Sequence, residues 1–462
     1  MTNNVQQWWI RTLISLSISL PFLFLAWKII VHEGLNPQIR YGLFACVITV
    51  CLLILALPFF NSATRRKVLL ALFSSVISIY GVETVLTVAY HSEWTGQREL
   101  ERHVAKNNPL TKLQKIQSLR DKGVIAVPAV PAGDQWGDGY ILGGISNAFV
   151  VFCDETGEWA TYQSDEFGFN NPLGTHVRGV DAVLVGDSFT EGACVNAEYN
   201  VASRLRIENW NVVNLGKAGT GPLMQLATLV EYGEELQPSF VIWLFYEGND
   251  LKDLLAESRD KPLLRRYLVE GYSLGLKSQQ REISTFIKDL LETKLIEEIR
   301  RAGSSNPSNR LKRHRAFDSI DHTRETLYDF ATLRFLRNLV SESFIDRHRP
   351  SYLDGALPKL REVLEVAKLR IESWGGEMIF VYLPQWSRYK WEFETDDATK
   401  KRDMVMTIVR EVGLTVIDFD KVLRSKEQPL QAFPFGMAGH YNAIGYELLA
   451  KQINDELRQS AK

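Results

Sequence analysis

The chain has 462 residues, of which 45% are hydrophobic and 23% charged, and it contains 31 glycines and 16 prolines. This length and composition predict about three domain-sized units and exclude a chain that is mainly disordered or of low complexity. The 53 Lys and Arg residues nearly balance the 55 Asp and Glu residues, so no overall positive charge exists to attract nucleic acid, and four cysteines are too few for a disulfide scaffold.

The N-terminal region contains three apolar stretches, at residues 12–31, 41–60 and 68–90, and each has at most one charged residue. About 20 apolar residues are what a helix needs to cross the hydrocarbon core of a bilayer. We therefore predict that residues 1–92 form a membrane anchor with three transmembrane helices. A cleaved signal peptide is the alternative for the first stretch, but no small-residue cleavage site separates it from the second.

The orientation of this anchor follows from a cluster of basic residues. Arg65, Arg66 and Lys67 lie between the second and third stretches without an acidic neighbour, as is typical of a cytoplasmic loop. Basic residues also follow the third stretch, so the numbers of Lys and Arg on the two sides of the membrane are nearly equal. We therefore base the orientation on the tight cluster. It predicts that the rest of the chain lies outside the cytoplasm, in the cell envelope.

Two regions of different character follow the anchor. Residues 93–175 form a polar connector and a small lead-in, in which apolar runs at 148–153 and 159–162 flank Glu155-Thr156-Gly157 and predict a β-hairpin. Residues 176–462 form the predicted main domain.

In the main domain, short apolar runs alternate with stretches of helical periodicity. This alternation predicts a parallel sheet covered by helices on both faces, a three-layer α/β/α sandwich of the flavodoxin-like type. The predicted strands are 182–185, 212–215, 240–246, 378–383 and 414–419, and the predicted later helices are 357–374 and 398–412.

A charged insertion at about residues 251–350 interrupts this pattern. It has helical periodicity at 284–300 and a cationic patch, which is either a solvated surface or a contact with lipid head groups or an anionic glycan. The patch consists of Arg300, Arg301, Arg310, Lys312, Arg313 and Arg315.

Polar residues and glycines directly follow the apolar runs, at the edge where parallel sheets bind ligands. Ser188 follows the first run in a Gly-Asp-Ser turn, and Gly219 follows the second run in a glycine-rich loop. Asn249 and Asp250 follow the third run, and His440 precedes the final helix. A hydroxyl, an imidazole and amide donors at one edge indicate nucleophilic catalysis with an oxyanion site, while Asp250 can brace its loop.

These blocks resemble the SGNH/GDSL hydrolase family of serine esterases and lipases, over about residues 180–250 and 375–460. The resemblance implies that Ser188 is the nucleophile, that His440 is its general base, and that Gly219 and Asn249 are oxyanion donors. Residues 164–172 also look like a lead-in found in membrane-anchored bacterial members.

One departure from the family pattern concerns the acid that orients the histidine. The family usually has an Asp three residues before its catalytic His, where this chain has Met437. We therefore expect a Ser–His dyad, an acid from elsewhere, or a fold that has lost catalysis and only binds. The nearest candidate acids in the sequence are Asp418 and Asp420 at the end of the last predicted strand.

Other chemistries have little support in the sequence. It has no His-Glu-x-x-His, no Cys-x-x-Cys and no Gly-rich loop that ends in Gly-Lys-Ser/Thr, so we predict no metal and no cofactor. Cys46 and Cys51 lie within a predicted span. A disulfide between Cys153 and Cys194 is possible if the domain faces an oxidising compartment.

The expected function is that of a membrane-anchored serine esterase. It would remove acyl groups, with acetyl as the expected one, from an envelope glycan or lipid through an acyl-enzyme. The alternatives are an O-acyltransferase that modifies a cell-surface polysaccharide together with a membrane acyltransferase partner, and a non-catalytic glycan-binding scaffold. The expected partners are membrane lipid and the acylated substrate, without nucleic acid.

Overall fold

The computed structural model describes residues 110–177, 179–303, 352–390 and 395–461, and nearer the N-terminus residues 56, 59–70, 74, 77, 78, 80, 81, 99–101, 103–105 and 108. The chain divides into two units, residues 1–92 with 307–349 and residues 93–306 with 350–462. All elements labelled below belong to the second unit.

The predicted membrane anchor lies mostly outside the described residues. The stretch 12–31 lies wholly outside them, as do most of 41–60 and 68–90, Cys46 and Cys51, and the predicted cationic patch beyond residue 303. Among the residues that the structure does describe, no helix is both long enough and apolar enough to cross a membrane. The three-span anchor therefore stays a prediction from the sequence.

A small sheet precedes the main domain. Helix α1 (Lys112–Arg120) leads into three strands in the order β1 (Ala126–Pro128), β4 (Phe149–Val151) and β5 (Thr161–Gln163). Strands β4 and β5 are antiparallel, with Val150 opposite Tyr162, which confirms the predicted hairpin. Between β1 and β4, strands β2 (Gln135–Trp136) and β3 (Gly139–Tyr140) pair with each other.

The main sheet has five strands, β6 (Ala182–Gly186), β7 (Val212–Asn214), β8 (Phe240–Tyr246), β9 (Glu377–Leu383) and β10 (Thr415–Asp418). They lie in the spatial order β10-β9-β8-β6-β7, and every neighbouring pair is parallel. Counted from β6 in chain order, this is the 2-1-3-4-5 arrangement of flavodoxin-like folds. All five predicted strands are present, and no bound differs from the predicted one by more than one residue.

Helices connect the strands of the main sheet and follow its last strand. They are α2 (Ser188–Glu191), α3 (Val201–Ile207), α4 (Pro222–Thr228), α5 (Asp250–Asp260), α6 (Gln280–Gly303), α7 (Tyr352–Ser373), α8 (Ser387–Lys390), α9 (Thr395–Val412), α10 (Phe419–Arg424) and α11 (Ala443–Ser460). Side-chain caps fix where some of them begin: the Asn442 carboxamide, for example, accepts the backbone N–H groups of Ile444 and Gly445 at the start of α11.

The central strands of the sheet are buried on both faces because they are almost wholly apolar; β8, for example, has seven apolar residues and no polar one. In β8, Val241, Trp243 and Phe245 pack into the core on the side of α4, α5, α7 and α9. Alternate residues of β8, such as Ile242 and Leu244, pack into a second core on the side of α3, α10 and α11. This packing confirms the parallel α/β sandwich. Helix α5 belongs to the sandwich, although the sequence placed residues from about 251 onward in a charged insertion outside it.

Helix α7 offers a matched test of this packing. Leu364 is fully buried in the core, whereas Leu369 on the same helix is 67% exposed. We expect Leu364→Ala to lower the free energy of unfolding by about 2–5 kcal/mol because it leaves a cavity, and Leu369→Ala to change it by less than about 0.5 kcal/mol. Urea unfolding followed by circular dichroism measures both, and equal losses would contradict the placement of α7.

Candidate active site

The site lies at the carboxyl ends of the central strands, where the order of the sheet reverses. Strands β6 and β8 are neighbours, and the chain leaves them toward opposite sides of the sheet, which opens a crevice between their ends. A cavity of about 390 Å³ occupies this place. The described residues that line it are Glu155, Asp187, Ser188, Phe189, Tyr246, Gly248, Asn249, Gln385, Trp386, Ser387, Ala438, Gly439 and His440.

A tight turn from β6 into α2 presents Ser188 to the cavity. At Gly186, a Cβ atom would lie 2.7 Å from the backbone oxygen of Leu244, so the turn requires glycine. The Asp187 carboxylate accepts the backbone N–H of Phe189 at 2.9 Å and caps the short helix. Ser188 is the first residue of α2 and is half-buried.

The structure brings Ser188 together with His440. The Oγ atom of Ser188 lies 2.8 Å from Nε2 of His440, although 252 positions separate the two residues in the chain. The ring of Phe189 packs against the imidazole with its centroid 4.7 Å away. A hydroxyl and an imidazole at this distance have the geometry of a nucleophile and its general base.

Glu155 contacts the other side of the imidazole. Its Oε1 lies 3.0 Å from Nδ1 of His440, and its Oε2 accepts the backbone N–H of the same residue at 2.7 Å. A carboxylate only accepts hydrogen bonds, so it favours the tautomer with the proton on Nδ1. In that tautomer Nε2 is unprotonated and can accept the proton of Ser188.

The acid thus comes from elsewhere in the chain, and the structure does not bring the two candidates, Asp418 and Asp420, to His440. Asp418 forms an ion pair with Arg402 on α9. Asp420 accepts the hydroxyl of Tyr389 at 2.8 Å and pairs with Arg424 at 3.1 Å. Both acids point to the helices around β10 because cations there compensate their charges.

Glu155 comes from the β4–β5 hairpin, which the sequence predicted without a role in the site. A close approach at Gly439 lets its carboxylate reach the histidine, since a Cβ atom there would lie 2.6 Å from Oε2 of Glu155. Gly439, directly before His440, is therefore the one feature of the local sequence that indicates a close approach of another group to this histidine. Sequence spacing gives no signal, because 285 positions separate Glu155 from His440.

The pair shifts the pKa of each partner. Burial opposes ionisation of Glu155, but the charge of His440 and its hydrogen bonds outweigh burial and lower the pKa of the carboxyl group. Burial likewise disfavours the imidazolium, yet the Glu155 carboxylate, with smaller contributions from Asp187 and Glu191, raises the pKa of His440 above its usual value. The site therefore stabilises a protonated His440.

Two acids support the loops around Ser188. Burial raises the pKa of Asp187 to about 6, although the Phe189 backbone N–H, the charge of His440 and the Asn249 side chain oppose this. Asp250 accepts the backbone N–H of Tyr246 at 2.9 Å and braces the loop after β8, as predicted.

Asn249 and Gly219 differ in their placement. Asn249 lies at the start of α5 and lines the cavity. Gly219, with φ of 76°, is exposed on the loop after β7 and lies outside the set of described residues that line the cavity. Its role as an oxyanion donor stays a prediction.

The loop that carries Gly219 is held by Glu191, which the sequence did not single out. This buried carboxylate pairs with Lys217 at 2.8 Å and accepts the backbone N–H of Ala218 at 2.7 Å. The hydroxyl of Tyr162 on β5 donates to it at 2.7 Å. Glu191 thus joins the small sheet, the nucleophile turn and the loop after β7.

Cys153 and Cys194 form a disulfide, with Cα atoms 4.9 Å apart, as the sequence allowed. Within the described part of the chain, Cys194 also belongs to the one group of acid, histidine and cysteine side chains close enough to share a metal ion, together with Glu155 and His440. Because its sulfur is bonded to Cys153, this group does not supply a thiolate ligand.

No family model and no curated protein sequence matches the chain. Solved structures that it resembles include a lipolytic protein of the G-D-S-L family from Desulfitobacterium hafniense, at 14% identity and a TM-score of 0.32, over 60% of this chain and 99% of that one. A lipase/acylhydrolase from Enterococcus faecalis matches at 15% identity and a TM-score of 0.32, over 60% of this chain and 95% of that one. A catalytic mutant of an acetylxylan esterase from Geobacillus stearothermophilus matches at 12% identity and a TM-score of 0.31, over 61% of this chain and 94% of that one. At these scores, the functional inference rests on the chain's own residues.

Replacing Glu155 tests the electrostatics of the site. We expect Glu155→Gln to lower the pKa of His440, because the carboxylate that favours the imidazolium is gone, and Glu158→Gln in the same hairpin to leave it unchanged because Glu158 is exposed. NMR titration of the histidine ring measures this pKa. A value in Glu155→Gln at or above that of the wild type would contradict the assigned contact.

Proposed function

We propose that this chain is a serine hydrolase of the SGNH/GDSL type that acts on carboxylic esters. The observation that carries the proposal is the line of three groups in the cavity. Ser188 Oγ lies 2.8 Å from His440 Nε2, and Glu155 Oε1 lies 3.0 Å from His440 Nδ1. These are the relations of a nucleophile, a general base and an orienting acid.

In the first step, His440 accepts the proton of Ser188 on Nε2 while the serine oxygen attacks the ester carbonyl. The imidazolium that forms is stabilised by Glu155, which already raises the pKa of His440 in the free protein. The histidine then gives its proton to the alcohol that leaves, and an acyl group remains on Ser188.

Negative charge develops on the carbonyl oxygen during this attack. The Asn249 side chain, on the cavity wall, supplies an amide donor for it, and the backbone N–H groups of Ser188 and Gly219 are the further donors that the family resemblance implies. In the second step, His440 takes a proton from water while the water oxygen attacks the acyl carbon. The bond between that carbon and Ser188 Oγ then breaks, His440 returns the proton to Oγ, and the carboxylic acid leaves.

The substrate that we propose is a small acyl ester, acetyl in the first instance, on an envelope glycan or lipid. A cavity of about 390 Å³ fits a small acyl group with part of its alcohol. The Cys153–Cys194 disulfide supports an oxidising compartment, and the apolar stretches within residues 1–92 support a membrane anchor. Residues 93–175 and 176–462 would then both lie outside the cytoplasm.

A fluorophosphonate probe tests whether Ser188 is activated. We expect the wild type to be labelled at Ser188, and Ser188→Ala and His440→Ala to lose both labelling and hydrolysis of an acetyl ester. Ser425→Ala, which removes an exposed serine hydroxyl on the surface, serves as the control and should react as the wild type does. A wild type that the probe never labels would favour the non-catalytic binding scaffold.

The role of Asn249 is tested separately. We expect Asn249→Ala to reduce kcat for ester hydrolysis on the order of 10²–10³-fold, because one donor to the oxyanion is lost. KM should change little, since this contact strengthens in the transition state. Steady-state kinetics on a variant with a wild-type unfolding curve measures both constants, and an unchanged kcat would refute the assignment.

A further inference from the structure

The acid and the nucleophile of the site belong to different sheets. Glu155 lies in the hairpin between β4 and β5 of the small sheet, whereas Ser188 follows β6 of the main sheet. The Cys153–Cys194 disulfide links these two segments covalently in addition to the backbone. It leaves the hairpin two residues before Glu155 and enters the chain six residues after Ser188.

We propose that the Cys153–Cys194 disulfide is a positioning element of the active site, which holds Glu155 against His440. This inference rests on the proposed function, because it assigns the disulfide a role in the same reaction. This role differs from a general stabilisation of the fold, because the disulfide would affect the rate of ester hydrolysis by positioning the Glu155 carboxylate.

The main-sheet end of the link is fixed to the nucleophile turn. The backbone N–H of Ala193 donates to the carbonyl oxygen of Ser188 at 2.9 Å. The hydroxyl of Tyr446 on α11 donates to the carbonyl oxygen of Ala193 at 3.3 Å. Cys194, the next residue, is therefore held in a constant position relative to Ser188.

At the hairpin end, the other hydrogen bonds of the tip to the described part of the main domain are those of Glu155 itself to His440 and one from Thr156. The hydroxyl of Thr156 donates to the carbonyl oxygen of Cys194 at 3.4 Å, which is a long contact. Further bonds from the hairpin to the main domain lie on β5, away from the tip: the Tyr162 hydroxyl donates to Glu191 at 2.7 Å, and the Thr161 N–H donates to Asn196 Oδ1 at 3.3 Å. The disulfide is thus the strongest constraint on the tip that carries the carboxylate.

The disulfide also borders the imidazole directly. The sulfur of Cys194 lies 3.7 Å from Nδ1 of His440, beside the two carboxylate oxygens of Glu155. Two unbonded thiols need more space than a disulfide, because their sulfur atoms stay at van der Waals separation. Reduction would therefore move the tip away from the ring, and replacement of both cysteines by alanine would remove the covalent link that holds it; both changes loosen the contact of Glu155.

Loss of this contact has an electrostatic signature, because Glu155 is the strongest of the charges that favour the His440 imidazolium. The other charges that favour the imidazolium, Asp187 and Glu191, lie outside the hairpin, so we expect them to keep their positions when the disulfide is broken. The other titratable groups around the pair are Asp187 and Glu191 at the two ends of α2, Tyr446 on α11, and Asp154 and Lys112 beside Glu155.

The test is a mutant cycle that combines Cys153→Ala/Cys194→Ala with Glu155→Gln. If the disulfide acts through Glu155, its removal from the wild type should lower kcat by on the order of 10–10²-fold with KM within about twofold, as expected for a misplaced group. Its removal from Glu155→Gln should then change kcat by less than about threefold, because the group that it positions is absent. All variants are compared at a temperature at which each is folded.

A second readout does not depend on catalysis. NMR titration should give a lowered pKa of His440 in the double cysteine variant, in the same direction as in Glu155→Gln. Reduction of the wild type with a phosphine should reproduce this shift, and reoxidation with oxidised glutathione should reverse it.

Two results would overturn the proposal. One is that the pKa of His440 in the double cysteine variant equals that of the wild type. The other is that kcat of the combined variant falls by the product of the two separate factors, as it would if the disulfide and Glu155 acted independently. Either would reduce the disulfide to a stabilising link. If the wild type hydrolyses no ester at all, the proposed function fails, yet the titration still decides whether the disulfide positions Glu155.

Discussion

The bond between the Glu155 carboxylate and His440 is the interaction on which the site depends. It holds the ring at Nδ1 and the backbone at the N–H of the same residue, at 3.0 Å and 2.7 Å, so both the tautomer and the position of the imidazole are fixed. Without it, the imidazolium would lose the largest of the charges that stabilise it, and the described cavity has no other acid hydrogen-bonded to Nδ1 to direct Nε2 toward Ser188. The rest of the second unit serves to bring this carboxylate and this histidine to the end of β6.

The parallel sheet supplies the other half of the geometry. Because β6 and β8 are neighbours while their connections leave on opposite sides, the residues after them meet at one crevice. Ser188 and Asn249 arrive there from the strands themselves, and His440 from the loop before α11. Glu155 is the exception, because it comes from a separate small sheet that a disulfide and the buried Glu191 attach to the main one.

The sequence predicted the elements that depend on local pattern. Continuous apolar runs located the five strands, because a sheet that is buried on both faces needs them. Ser188 and Asn249 could be predicted as site residues because they directly follow two of these runs, β6 and β8. The acid could not be found in this way, because its approach to His440 depends on the packing of two sheets. Asp418 and Asp420 looked suitable by proximity in the chain, but Arg402 and Arg424 already compensate them.

The most direct measurement of the central claim is a crystal structure of the protein after reaction with a fluorophosphonate. The account predicts phosphorus bonded to Ser188 Oγ, the His440 ring between that oxygen and the Glu155 carboxylate, and a phosphonyl oxygen within hydrogen-bond distance of the Asn249 amide. Phosphorus on another residue, or a Glu155 turned away with a different acid on Nδ1 of His440, would contradict it.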